Sequence, residues 1–150
     1  MTRIRLIAVG SLNPKFKALY DEYTKNINHF CEFSQVELKE CSEEKNIELK
    51  KDKETKLIVD KILPNSYVIL TDLTGKLLDS IELSKILYDN QNKDITLIIG
   101  GSDGVNEQLI NYNLKLCFSK LTFPHQLFRI MLAEQIYRGY TILNNKKYHK

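Results

Sequence analysis

Four residues able to do acid–base or ionic chemistry interrupt one apolar stretch, "PHQLFRIMLAEQIYRGY" (residues 124–140): His125, Arg129, Glu134 and Arg138. A few residues on, "KKYHK" adds Tyr148, His149 and Lys150. An imidazole can take or give a proton near neutral pH, a guanidinium can pin an anion, and a phenol can stack or hydrogen bond. His125 follows Pro124 in the first helical turn, where the helix dipole disfavours an imidazolium, so a neutral hydrogen-bonding role is expected. Glu134 and Arg138 are four residues apart and suit a helical ion pair, whereas Arg129 and Glu134, five apart, do not. The last seven residues hold Lys146, Lys147, His149 and Lys150 and no acid. They read as a frayed soluble tail or as an arm that touches phosphate.

Three strand ends carry a second kind of signal: "ILTDLTGK", "IIGGSDG" and "CFSKLTFPH". "GGSDG" has three glycines in five residues after a buried strand, which suits a tight turn or a close backbone approach to a ligand. It is not a phosphate loop, because no G-x-x-x-x-G-K-[ST] register follows. Nor is it the G-x-G-x-x-G dinucleotide fingerprint, and the first strand ends in a lone Gly10. No G-x-S-x-G is present for a serine nucleophile. What remains is a planar ligand held by backbone groups from several loops, with Thr71, Gly100 and Leu121 lining an apolar slot.

The elements that must position these residues alternate. "IRLIAVG" (Ile4–Gly10), "YVILTDL" (Tyr67–Leu73), "ITLIIGG" (Ile95–Gly101) and "LKLCFS" (Leu114–Ser119) read as buried strands. "FSQVELKE" (Phe33–Glu40) alternates and belongs near an edge. Asn13 and Pro14 open a helix whose inner face is Phe16, Leu19, Tyr20, Tyr23, Ile27 and Phe30. A second helix is expected from about Asn46 to Leu63, its charged first half solvated or mobile. Asp79 and Glu82 have capping-box spacing, and Pro124 opens the last helix, of four turns or more. "TGK" is expected to end the Tyr67 strand. The pattern predicts one α/β domain over residues 1–150, a mostly parallel sheet with helices on both faces, and ligands at the strand carboxyl ends.

Composition fits that picture. The 150 residues are 43% hydrophobic and 27% charged, enough for one real core. The net charge of +3 is weak evidence for a polyanion partner. Cys31, Cys41 and Cys117 are odd in number and widely spaced, so free buried thiols in a reducing cytosol are expected and no metal site is. The apolar run "LIAVG" is too short for a signal peptide, and nothing approaches the roughly 20 apolar residues of a membrane span. A soluble cytoplasmic protein with no membrane partner is expected.

"LIAVGSL", "IGGSDG", "SKLTFPHQLFRIMLAEQIYRGYTI" and the terminal "YHK" together resemble the RlmH family, small methyltransferases of large-subunit ribosomal RNA in the SPOUT superfamily. The resemblance runs the whole chain in order and is thinnest from Cys41 to Lys56. It implies an α/β fold with a C-terminal trefoil knot, where pattern alone gives an open doubly wound sheet. It implies S-adenosyl-L-methionine as cofactor, held by Thr71, Gly100 and the run Phe118, Ser119, Lys120, Leu121, Thr122 and Phe123. Many relatives have Leu where this chain has Thr71. The implied reaction is methylation of N3 of a pseudouridine in 23S ribosomal RNA, by a homodimer acting on assembled ribosomes. Under it, the tail folds over an active site, its own or its partner subunit's, so the expected substrate-handling residues are His149, Tyr148 and Arg138. Arg129 or Arg138 can meet RNA phosphate or the target base. The alternative is a ribosome-associated RNA-binding module of the same fold without turnover. Against it stand the glycine-rich loop and "FSKLTF", which a pure binder does not need.

Overall fold

A computed structural model describes residues 1–150. Five strands, β1 (Arg3–Val9), β2 (Glu32–Leu38), β3 (Tyr67–Leu77), β4 (Ile95–Ile99) and β5 (Leu114–Cys117), alternate with four helices. The helices are α1 (Pro14–Ile27), α2 (Ile47–Lys61), α3 (Ser80–Asp89) and α4 (His125–Leu143). The strands form one sheet in the order β2-β1-β4-β3-β5, with every ladder parallel. β2 lies at an edge, as its alternation predicts.

Strand periodicity sorts the apolar runs onto two faces. Ile4, Leu6 and Ala8 of β1, with Ile95, Leu97 and Ile99 of β4, meet α1, α3 and α4 through Tyr20, Ile27, Leu83, Leu87, Ile130, Ala133 and Ile136. Ile7, Val9, Val68, Leu70 and Ile98 point the other way, against Ile58 of α2 and Ile110. Helices therefore cover both faces, and runs such as Ile95–Ile99 are buried at every position. α4 packs on both α1 and α3.

The local signals work as their chemistry requires. The Asn13 side chain caps α1 by accepting from the Phe16 N–H, with Pro14 at the first position. Asp79 and Glu82 form a reciprocal capping box on α3. Of the expected inner face of α1, Leu19 turns out to be exposed.

Two expectations fail for physical reasons. "TGK" does not end β3: the strand runs on to Leu77, and its pairing with β5 shifts register between Thr71 and Lys76. Gly75 passes so close to β5 that a Cβ there would lie 2.6 Å from the Leu116 carbonyl carbon, so this glycine marks close strand approach rather than a turn. The first half of α2 is solvated only in part: Ile47, Glu48, Leu49 and Lys53 are exposed, but Lys50, Glu54 and Thr55 are buried and face polar groups of two neighbouring loops, Glu54 through Oε2 alone.

Candidate functional site

The register break of β3 at Thr71–Thr74 and the carboxyl ends of β4 and β5 open into a cavity of about 1060 Å³. Seven of the eight expected cofactor residues line it: Thr71, Gly100, Phe118, Ser119, Leu121, Thr122 and Phe123. Lys120 does not line it and is exposed.

The loop after β5 explains why this wall suits a planar ligand. No backbone–backbone hydrogen bond involves residues 118–123. Amides and carbonyls that no ladder engages can pair with a heteroaromatic base edge. The loop holds its shape through side chains: Ser119 Oγ accepts the Leu121 N–H at 3.0 Å, and the Cys117 thiol donates to the Ser119 carbonyl at 2.9 Å. Phe118 packs tilted on Phe128, ring centres 4.8 Å apart. Leu73 and Leu121, both largely exposed, give the rim apolar surface.

The other two strand ends are fixed from behind. The Thr71 hydroxyl donates to the Ile98 carbonyl at 2.7 Å, which leaves its oxygen as an acceptor, its backbone and its methyl as what Thr71 can offer a ligand. A carbonyl only accepts, so the 2.6 Å contact between His125 Nε2 and the Gly100 carbonyl places a proton on Nε2. His125 thus ties the start of α4 to the end of β4, the hydrogen-bonding role expected of it. After Gly100, residues 101–104 form a tight turn closed by Gly104 N–H to the Gly101 carbonyl at 3.0 Å. Gly104 sits at φ +81°, a conformation that favours glycine.

Arg129 is not available to RNA. It is fully buried, donating to Glu37 Oε2 at 2.6 Å and to the Gly10 carbonyl at 2.9 Å. A helical arginine with no partner four residues away has found one on β2 instead.

Arg138, Tyr148 and His149 come together, but on α4 and outside this cavity. Arg138 pairs with Glu134 at 2.7 Å, the helical ion pair that the spacing predicts. Tyr148 donates its hydroxyl to Glu134 Oε2 at 2.7 Å, and its ring lies 4.9 Å from the Arg138 guanidinium carbon and edge-on to Tyr137. A guanidinium can only donate, so the 3.1 Å contact from Arg138 makes His149 Nδ1 an acceptor and leaves Nε2 as a donor. Burial, then the bond to Glu134, raises the Tyr148 pKa, so Tyr148 is a phenol and not a phenolate. Hydrogen bonding to Glu134 raises the Arg138 pKa further. Tyr148 and His149 are therefore docked and partly buried, while residues 144–147 and Lys150 are exposed. Beside it is a second cavity, lined by Tyr23, Met131, Glu134, Arg138 and Tyr148, that shares Phe118 with the first.

Among the cysteines, Cys31 and Cys117 are buried and Cys41 only partly. No group of three or more His, Cys, Asp or Glu side chains is placed to hold a metal ion. No helix is long and apolar enough to cross a membrane.

Fold and cavity define a parallel α/β domain whose ligand crevice is built from strand carboxyl ends. The profile of a family described as "Predicted SPOUT methyltransferase" matches residues 2–149. The chain is 63% identical, over the full length of both, to the ribosomal RNA large subunit methyltransferase H of Mycoplasmopsis agalactiae. It is 46% identical to the protein of the same name from Clostridium botulinum, covering 98% of this chain and 99% of that one. A probable methylase family protein from Haemophilus influenzae shares the fold at a TM-score of 0.53 and 15% identity, over 96% of this chain and 67% of that one. The chain belongs to the RlmH family of SPOUT methyltransferases.

Proposed function

We propose that this protein methylates N3 of a pseudouridine in 23S ribosomal RNA, on assembled ribosomes, as a cytoplasmic homodimer that uses S-adenosyl-L-methionine. The observation that carries this reading is the end-to-end 63% identity to a protein named for large-subunit ribosomal RNA methylation. The cavity supports the cofactor: six consecutive residues, 118–123, have no backbone–backbone hydrogen bonds, and five of them line a volume ample for a nucleoside.

When bound, S-adenosyl-L-methionine supplies an electrophilic methyl group. The chain's work is then alignment and proton handling. Residues 118–123, Gly100 and the backbone of Thr71 hold and orient the ligand. The acceptor is an imide-like N–H, so its proton must leave and charge develops on the flanking carbonyls. The tail offers donors for that charge. Arg138 is a cation, and His149 in the tautomer that its contact with Arg138 requires donates from Nε2. Tyr148 and Glu134 position these two. In a homodimer the tail of one subunit serves the cavity of the other, which fits its location outside its own subunit's cavity.

We infer also that the C-terminal segment is threaded as a trefoil knot. The chain crosses from central β4 past β3 to edge strand β5, then returns in α4 to reach Gly100, α1 and α3. Mass spectrometry of ribosomal RNA from cells with and without the gene tests the reaction: loss of one methyl-pseudouridine is expected, and an unchanged modification pattern refutes it. Calorimetry tests the cofactor, since absence of saturable binding would favour a non-catalytic RNA-binding module.

A further inference from the structure

One and a half turns of α2 present four polar side chains to the glycine-rich turn. Lys50 Nζ donates to Asp103 Oδ2 at 2.7 Å and to Glu40 Oε1 at 2.9 Å. Ser102 donates to the same Glu40 oxygen at 2.6 Å. Asp52 accepts from the Asn106 side chain at 2.9 Å, and Thr55 Oγ1 accepts the Asn106 N–H at 3.0 Å. Glu54 is fully buried: Oε2 accepts the Cys41 N–H at 2.8 Å, and Oε1 lies 2.8 Å from where a Cβ on Gly101 would be. The turn is thus held at Ser102, Asp103 and Asn106, and packed at Gly101 against Glu54; all four of these residues of the turn line the cavity.

A lysine is costly to bury, and this one is held by carboxylates from two different loops. Those loops follow β2 and β4, the strands on either side of β1. One charge therefore ties together the two loops that follow these strands. Glu48 and Lys51 of the same helix line the cavity directly, so a shift of α2 reaches the ligand by a second route.

We infer that Lys50 is a positioning residue for methyl-donor binding, acting through Asp103 on the glycine turn. It touches neither donor nor RNA, and it rests on the reading of this cavity as the donor site. Loss of the clamp weakens the donor selectively.

The test uses full-length K50M and D103N, titrated calorimetrically with S-adenosylmethionine and assayed on ribosomes. Both variants are expected to raise donor Kd and KM about ten-fold, with ribosome KM unchanged, as for a displaced binding wall. The double variant should be no worse than the poorer single one, because both remove the same contact. Asp103 lies on the surface turn, so D103N keeps the test open if K50M does not fold. Unchanged donor affinity in folded D103N, or equal weakening towards donor and ribosome, overturns the inference. If the wild-type chain binds no S-adenosylmethionine, the functional reading fails, and hydrogen exchange then judges the clamp on its own. Faster exchange at residues 101–106 in the variants supports it, and unchanged exchange refutes it.

Discussion

At the residue scale, the sharpest consequence concerns Arg129. Removing a fully buried partner from its bonds to Glu37 and Gly10 strands polar groups of β1 and β2. Arg129→Met is expected to cost about 3 kcal/mol, read from urea unfolding. A change within error would show that the pair is replaceable by packing. Tyr148 makes the opposite prediction, of function without stability. Deleting Tyr148–Lys150 should abolish methylation while donor binding survives, and full retained activity would remove the tail from the mechanism. Which of these charges is structural was not legible in the sequence. Arg129 and Arg138 sit on one helix nine residues apart, yet one turns to the core and the other to the tail. Only the position of Glu37, on another element, decides it. His125 was legible, because a helix N-terminus constrains an imidazole whatever lies around it.

At the element scale, glycines separate strand contact from helix contact. A Cβ at Gly75 would meet Leu116 backbone at 2.6 Å, whereas one at Gly139 would meet the tip of Leu87 at the same distance. Backbone in a parallel ladder cannot retreat, but a leucine rotamer can. Gly75→Ala should therefore lower thermal stability by about 2 to 3 kcal/mol and Gly139→Ala by clearly less. Equal losses would mean that α3 and α4 are as rigid as the sheet. The buried strands were legible because continuous apolar runs leave few other readings. The extension of β3 was not, since "TGK" is turn chemistry unless another strand approaches a glycine. The anchoring half of α2 was missed for a related reason. In "ELKKDKET" six of eight residues are charged, and sequence alone does not reveal that Lys50 meets Asp103, 53 residues away.

At the scale of the whole molecule, buried hydroxyls and thiols set an alkaline limit. Burial raises the pKa of Tyr20, of Tyr140 and, with its bond to Glu134, of Tyr148, and pushes the Cys31 thiol up to about 11. Each raised acid stabilises the fold fully below its unfolded pKa, and that contribution is lost as pH rises through the folded value. Cys31 begins to lose its share above the ordinary thiol range, and the tyrosines follow above about pH 10. The urea midpoint should be flat near pH 8 and fall steeply by pH 11. A midpoint that holds at pH 11 would show that these groups ionise without opening the core. The α/β class was legible from alternation alone. The strand order was not, because parallel strands carry no turn signal that names their neighbours.

That strand order also governs how the chain acquires its structure. With every ladder parallel, no tight hairpin can form early and template the rest. Each pairing waits for a crossover to close, and β1 meets β4 only after about 90 intervening residues have been gathered in. The core also needs α4, the last element in the chain and the one that carries His125, Arg129 and Arg138. Refolding is therefore expected on the millisecond-to-second scale or slower, not in microseconds. Activity should return no earlier than native tertiary fluorescence, because the segment that holds the site together is also one that the core needs.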